Sequence, residues 1–256
     1  MGDVKMTEEQ KVLEITNLSK VFHDADENVV IDDFNLCVNK NEFLCILGPS
    51  GCGKTTMLRC IAGFEEFGGT IKINGIERTK PGSDRIMVFQ DFNQLFPWKT
   101  VEKNIQYPLK LKGIRDKETL RQITQDVLAK VKLSGYEKYY PHHLSGGMKQ
   151  RVAIAKAIAL RPEIILMDEP FAALDAMTRN TLQAELLRIS AEEKCTIIFI
   201  THNIQEAIVL GTRVLVMAKG GKIIIDEENK IKRPVSPVSE GYSEFWDRLH
   251  SALYQS

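Results

Sequence analysis

The chain has 256 residues, of which 43% are hydrophobic and 27% are charged, a composition typical of globular proteins. Lysine plus arginine and aspartate plus glutamate both total 34, so the formal net charge is zero and bulk nucleic-acid binding is not expected. No apolar run approaches the length of a bilayer span, and the first residues lack a signal-peptide core. Five scattered cysteines without C-x-x-C spacing indicate neither a zinc site nor a disulfide framework, and fit a reducing compartment.

Two half-exposed strands are predicted first in chain order. Residues 11–19 and 29–39 both alternate apolar and polar side chains. Between them Phe22 leads into an acidic turn and is expected in a loop. Its ring has two interpretations, core packing or a stacking platform for an adenine ring, and spacing alone leaves both open.

Residues 42–58 carry the strongest chemical signal. The apolar run 43–47 predicts a buried strand, GPSGCGKT at 48–55 matches G-x-x-x-x-G-K-[ST], and residues 56–62 continue as a helix, which together is the context of a phosphate-binding loop. Glycines let backbone N–H groups turn inward, Lys54 can reach the β- and γ-phosphates, and the Thr55 hydroxyl can ligate Mg²⁺. The candidate nucleotide-binding residues here are Gly48, Pro49, Ser50, Gly51, Cys52, Gly53, Lys54 and Thr55.

A break at Gly68-Gly69 is expected after this helix, followed by a hairpin around Asn74-Gly75. Residues 86–89 then predict a strand that ends at Gln90. A polar residue at the carboxyl tip of a strand faces the ligand crevice of an open α/β sheet, so Gln90 is a candidate metal or water ligand.

Helical patterns dominate residues 91–159, with helices expected at 101–107, 117–131 and 147–160, and we interpret this part as a helical lobe inserted between sheet strands. Phe96-Pro97-Trp98 is either a core plug or an exposed knob for a partner. Ser145 is a candidate N-cap, while Gly146 and Gly147 behind it would let an anion come close to the helix N-terminus.

Two further buried strands end in polar residues. Residues 163–167 lead into Asp168 and Glu169, where one carboxylate can hold Mg²⁺ through water and the other can orient the attacking water; the alternative is a solvated acidic turn. Residues 196–200 end at Thr201 and His202, and His202 is a candidate γ-phosphate contact. A helix at 178–193, a hairpin around Gly220-Gly221 and an amphipathic tail helix at 244–254 complete the prediction.

These motifs, in this order, resemble the ATP-binding subunit of ABC transporters over residues 12–231. The motifs are GPSGCGKTT, Gln90, LSGGMKQRVAIAKAI at 144–158, ILMDEP at 165–170, ALD at 173–175 and TH at 201–202. LSGGMKQR, DEPFAALDAMTR and FPWKTVEKNI look most like the nitrate, sulfonate and taurine importer branch. The resemblance implies an α/β fold: a P-loop NTPase cassette with a RecA-like core, an N-terminal antiparallel β subdomain and an inserted helical subdomain at about 91–160. The cassette would span 1–232, with a short tail at 233–256.

The resemblance also implies residue roles. ATP and Mg²⁺ held by Lys54, Thr55 and Asp168 would be covered by the LSGG segment of a second copy paired head to tail. The covering residues would be Ser145, Gly146 and Gly147. In the hydrolysis step, Glu169 would polarise the water, His202 would clamp the γ-phosphate, and Gln90 would ligate Mg²⁺ and sense the membrane partner. Asp175 would cross the dimer interface. Phe22 would stack on adenine, and Thr56 would contact the nucleotide.

The implied activity is ATP hydrolysis that powers import of a small solute. The implied partners are an integral membrane permease and, indirectly, a solute-binding protein, with this subunit at the cytoplasmic face of the inner membrane. Met148 stands where the wider family has Gln, as is common in this branch, Phe22 replaces a Tyr, and Asn203 stands where Asp is common. The alternative function, a soluble ABC ATPase of DNA repair or translation, would carry a coiled-coil insertion or two cassettes, neither of which is visible here. The transported solute is left open by the sequence.

Overall fold

The computed structural model describes residues 11–23, 27–90 and 94–254. In chain order the strands are β1 (Lys11–His23), β2 (Glu27–Asn39), β3 (Phe43–Leu47), β4 (Gly68–Ile73), β5 (Ile76–Glu77), β6 (Arg85–Val88), β7 (Ile164–Asp168), β8 (Thr196–Ile200), β9 (Arg213–Met217) and β10 (Ile223–Glu228). The α-helices are α1 (Lys54–Ala62), α2 (Val101–Leu111), α3 (Lys117–Lys130), α4 (Gly146–Ala159), α5 (Ala176–Glu193), α6 (Ile204–Leu210) and α7 (Tyr242–Tyr254). None of these helices is both long and apolar enough to cross a bilayer.

A six-stranded sheet, in the order β10-β9-β3-β8-β7-β6, forms the centre of the molecule. Every neighbouring pair from β9 to β6 is parallel, and only the edge strand β10 is antiparallel. The middle strands β3, β7 and β8 are almost entirely buried, which explains their continuous apolar runs. Because parallel strands end at the same edge, the residues that follow β3, β7 and β8 are brought together there.

The two faces of this sheet are covered by different layers. On one face α1 and strands β1, β2 and β4 of the antiparallel sheet β2-β1-β4-β5 form a core with alternate residues of the central strands, including Leu44 and Ile46 of β3. On the other face Cys45 and Leu47 of β3 join a second core with helices α2 to α7. The alternation follows from the two-residue period of a strand, and it buries both faces as an α/β fold requires.

Helices α2, α3 and α4 lie between β6 and β7 in the chain and pack on one another through buried aliphatic residues, as the predicted inserted lobe requires. Helix α2 continues past the expected end through Pro108 to Leu111. Proline removes one N–H from the helix, and Leu109, the next residue, is fully buried in the core. Phe96 packs beside Trp98 with ring centroids 5.5 Å apart, and Trp98 is 70% exposed, which favours the exposed knob over the core plug.

Several local predictions were wrong. Phe22 lies in β1 opposite Asn28, not in a loop, because β1 extends to His23. Gly68 pairs with Ser19 and begins β4, so the glycine pair starts a strand where a break was expected. Helix α6 was not predicted. At the end of the described chain, α7 packs against α6, β9 and β10, and buries Tyr242, Phe245 and Leu249.

Candidate active site

The predicted phosphate-binding loop connects β3 to α1 at the carboxyl edge of the sheet. Gly51 and Gly53 have φ of 79° and 107°, a region that favours glycine. A Cβ on Gly48 would overlap the carbonyl oxygen of Met217. Gly53 is the N-cap of α1, which leaves the first N–H groups of that helix facing the loop. The geometry therefore requires glycine at three positions of the motif.

Lys54 holds the loop closed from inside. Its Nζ donates to the carbonyl oxygens of Gly48 and Pro49, both at 2.8 Å, and the side chain is buried. The Sγ atom of Cys52 lies 3.7 Å from the same Nζ, and Cys52 is also buried. Phosphate oxygens are anionic and form stronger hydrogen bonds with an ammonium group than uncharged carbonyl oxygens do. A bound phosphate could therefore replace the two carbonyls as the acceptor for Lys54 Nζ.

Thr55 and Asp168, both candidate metal ligands from the sequence, lie side by side in the site. Thr55 Oγ1 donates to Asp168 Oδ1 at 3.1 Å and so joins the start of α1 to the end of β7. Burial raises the pKa of Asp168; the hydrogen bond from Thr55 lowers it, and the neighbouring charge of Glu169 raises it again. A hydroxyl and a carboxylate whose charge is poorly solvated are a donor set that fits Mg²⁺.

Glu169 and His202 form a second pair beside the first. His202 Nδ1 lies 2.9 Å from Glu169 Oε2, although the imidazole is 65% exposed. The backbone of Glu169 has φ of 43°, a strained value for a side chain of this size, and its N–H donates to the carbonyl of Ile200 at 3.1 Å. The backbone of Glu169 is therefore held at the tip of the sheet by β8.

The LSGG segment contributes a helix N-terminus. Ser145 caps α4 by accepting from the N–H of Met148 at 3.3 Å, as predicted, and is exposed. Gly147 is buried, and a Cβ there would lie 2.6 Å from Thr178 Cγ2 of α5. Among the described residues, no hydrogen bond joins Ser145, Gly146 or Gly147 to the phosphate loop, so one chain by itself does not bring these groups together.

Two other candidate residues lie apart from these pairs. Phe22 is half-buried, and the Nζ of Lys20 lies 4.5 Å from its ring centroid, so a cation covers one face of the ring. Gln90 is exposed in a bend two residues beyond β6. Residues 91–93, where the helical lobe was expected to begin, lie outside the described residues. The adenine-stacking and metal-ligand roles of Phe22 and Gln90 stay predictions.

Asp175, predicted to cross an interface, has a local role as well. It is the N-cap of α5 and accepts from the N–H of Thr178 at 2.9 Å. Hydrogen bonds from Thr178 lower the pKa of this exposed carboxyl. Asn203, whose effect the sequence did not reveal, caps α6 by accepting from the N–H of Glu206 at 3.2 Å. The N-x-x-E spacing of Asn203 and Glu206 is a helix-start signal that could have found α6.

Comparison with known proteins shows similarity to ATP-binding subunits of ABC transporters. The model of the ABC transporter family matches residues 31–172. An uncharacterized ABC transporter ATP-binding protein of Methanocaldococcus jannaschii is 46% identical over 98% of this chain and 95% of its own length. An aliphatic sulfonates import ATP-binding protein of Bacillus cereus is 45% identical over 90% of this chain and 91% of its own. A bicarbonate transport ATP-binding protein of Synechocystis sp. is 42% identical over 84% of this chain and 77% of its own.

Solved structures are also similar. A dimeric ATP-binding cassette in a post-hydrolysis state with ADP and Pi superimposes with a TM-score of 0.75. It is 31% identical in sequence, and the match covers 85% of this chain and 99% of that one.

Proposed function

This chain belongs to the ABC transporter family as an ATP-binding subunit that hydrolyses ATP, and from that premise we propose that it powers import of a small anion through a membrane permease. The observation that carries the proposed site is the meeting of two pairs, Thr55 with Asp168 and Glu169 with His202, beside a phosphate loop closed by Lys54.

In the proposed mechanism, Lys54 and the N–H groups at the start of α1 bind the phosphates of ATP. Thr55, Asp168 and Gln90 would hold Mg²⁺, which would neutralise phosphate charge when bound. Glu169 orients and polarises the attacking water, and His202 contacts the γ-phosphate from its exposed ring. Phosphoryl transfer needs mainly positioning and electrostatic stabilisation, and this arrangement supplies both.

A second copy completes the site in this proposal. Ser145, Gly146 and Gly147 of that copy would cover the γ-phosphate with the N-terminus of α4, and Asp175 would cross the interface. Support comes from the exposed Ser145 and from the dimeric state of the similar cassette.

The transported class is a small anion. Two relatives that cover most of this chain are named for aliphatic sulfonate import and bicarbonate transport, and both solutes carry a negative charge at neutral pH. In this proposal the subunit lies at the cytoplasmic face of the membrane against its permease, and a solute-binding protein delivers the anion. The net charge of zero gives no support to the DNA-repair or translation alternative.

The first test of the site replaces Glu169 with Gln. We expect ATP turnover to fall by at least about a hundredfold, because general-base assistance is lost, while ATP still binds and drives dimer formation. Phosphate release and ATP-dependent gel filtration measure the two effects. Glu163→Gln is the matched control, since Glu163 is exposed at the opposite end of β7. Normal turnover in Glu169→Gln would sink its assignment as the base.

The transport role is tested separately by purifying the chain from its native membranes and identifying associated proteins by mass spectrometry. A multi-span permease that copurifies in stoichiometric amount is expected. Recovery of ribosomal or DNA-repair proteins alone would contradict import and leave the ATPase site standing.

A further inference from the structure

A buried polar network lies directly behind His202 and is centred on Glu206 of α6. Glu206 Oε2 accepts a hydrogen bond from Thr201 Oγ1 at 2.6 Å, and Oε1 accepts from Gln183 Nε2 of α5 at 3.2 Å. The side chain of Arg179 adds a positive charge, with Nε 3.6 Å from Oε1. Glu206, Thr201 and Gln183 are all buried. A buried carboxylate is costly unless it is paired and hydrogen-bonded, and here its partners lie on two segments of the chain, α5 and the residue that follows β8.

This network fixes the backbone on both sides of His202. Thr201 Oγ1 donates to Glu206 and also accepts from the N–H of Asn203 at 3.0 Å. Asn203 Oδ1 in turn accepts from the N–H of Glu206. The residues before and after His202 are therefore both tied to Glu206. Because the imidazole itself is mostly exposed, few packing contacts hold it, and its position against Glu169 depends on this turn.

Arg179 extends the network towards the turn that precedes α5. Its Nη2 donates to the carbonyl oxygen of Leu174 at 2.9 Å, the residue immediately before Asp175. Its Nε is buried and, within the described part of the chain, has no hydrogen-bond acceptor, so its contact with Glu206 is ionic. One side chain thus touches both the 174–175 turn and the carboxylate that supports the His202 turn.

We propose that Thr201 and Glu206 are positioning residues for hydrolysis, which hold His202 against Glu169, and that Arg179 links them to the turn at Asp175. This inference rests on the proposed function, because it needs His202 to act in turnover. Thr201 and Glu206 touch no nucleotide in this account and act only through His202.

The test is a double-mutant cycle between Thr201→Val and His202→Ala, with kcat and KM for ATP as the readouts and single-turnover hydrolysis for variants too slow for steady-state measurement. Valine keeps the shape of threonine and removes the hydroxyl. We expect Thr201→Val to lower kcat by about tenfold, as loss of a hydrogen bond to a charged group predicts, with KM for ATP changed by less than about twofold. In the His202→Ala background the same change should alter the rate by less than about twofold.

Two further variants test whether the effect on kcat comes from loss of the Thr201 hydroxyl. Thr201→Ser keeps the hydroxyl and is expected to restore kcat. Thr181→Val is the matched control, because among the described residues the Thr181 hydroxyl bonds only the carbonyl of Met177 on the exposed side of α5, and it should leave kcat unchanged. Should Thr201→Val not fold, Glu206→Gln replaces it in the same cycle with the same criteria.

The outcomes separate this inference from the proposed function. Equal fold losses for Thr201→Val with and without His202 would overturn the positioning role and leave the ATPase site intact. A loss expressed in KM instead of kcat would also overturn it, since that pattern indicates a general effect on nucleotide binding. Full activity of His202→Ala would refute the proposed role of His202 itself, and the positioning role with it.

Discussion

Replacing Gly147 with alanine tests why α4 begins with two glycines. The sequence explained both by close approach of an anion to the helix N-terminus, whereas the structure gives Gly147 an intramolecular reason. A Cβ at this position would lie 2.6 Å from Thr178 Cγ2, closer than side-chain carbons approach in folded proteins. The added methyl group therefore points at α5.

The expected size of the effect is the difference between two opposing contributions. Overpacking a buried position costs about 1–3 kcal/mol. Replacing glycine by alanine inside a helix returns up to about 1 kcal/mol. Gly147→Ala should therefore destabilise the chain by about 1 kcal/mol, which lowers Tm by about 2–4 °C for a protein of this size. Thr178→Ser removes the clashing methyl at a cost of up to about 0.8 kcal/mol and keeps the backbone N–H that Asp175 accepts.

Urea unfolding of the two single variants and the double variant measures this contact directly. We expect the double variant to be more stable than the sum of the single effects by about 1 kcal/mol. The double variant should also have the ATPase activity of the unsubstituted chain, because the Cβ of residue 147 points at residue 178. Additive effects within about 0.5 kcal/mol would show that the contact does not exist in solution. Recovery of stability without recovery of activity would restore the explanation by anion approach.

Three other outcomes are expected. Asn203→Ala should lower the stability of the chain by about 1 kcal/mol through loss of the α6 cap, whereas Asn203→Asp, which can cap equally well, should not; thermal melts of both variants decide. Burial raises the pKa of Asp168, so its ionised form lowers the free energy of unfolding above that raised pKa, and this destabilisation disappears as the pH falls. Asp168→Asn should therefore raise the urea midpoint at pH 7 but not near pH 4, and it should abolish ATPase activity. Burial raises the pKa of Cys195 to about 11, so iodoacetamide should label it slowly at pH 8, where about one thiol in a thousand is ionised, and faster as the pH rises; rapid labelling at pH 8 would contradict the burial.

The predictions that agree with the structure rest on local patterns. The apolar runs 43–47 and 196–200 coincide with β3 and β8, because a buried parallel strand needs a continuous apolar stretch bounded by turn residues. Helix α6 was missed because seven residues give too few turns for an apolar period to show. Phe22 was placed in a loop because nothing in the residues around it marks how far β1 continues alongside β2.

The candidate site likewise has a part that the sequence could predict and a part that it could not. Motif spacing singled out Lys54, Thr55 and Asp168 as candidates, because their expected chemistry is tied to residue type. The contact between Thr55 and Asp168, 113 positions apart, depends on strand order, which local patterns do not specify. The network of Glu206 and Arg179 carries no motif of its own. The network forms because α5 and α6 pack against each other, and that contact cannot be read from local sequence patterns.

The division of the interior into two cores has a consequence for how the protein opens. Helix α1, which begins at Lys54, is anchored in the core shared with the antiparallel sheet, while α4, which begins after Ser145, is anchored in the core on the opposite face. Segments with separate cores exchange their amide protons as separate cooperative units. Transient opening of the α4 layer therefore need not loosen α1, so the phosphate loop can keep its shape while the layer that contains α4 opens.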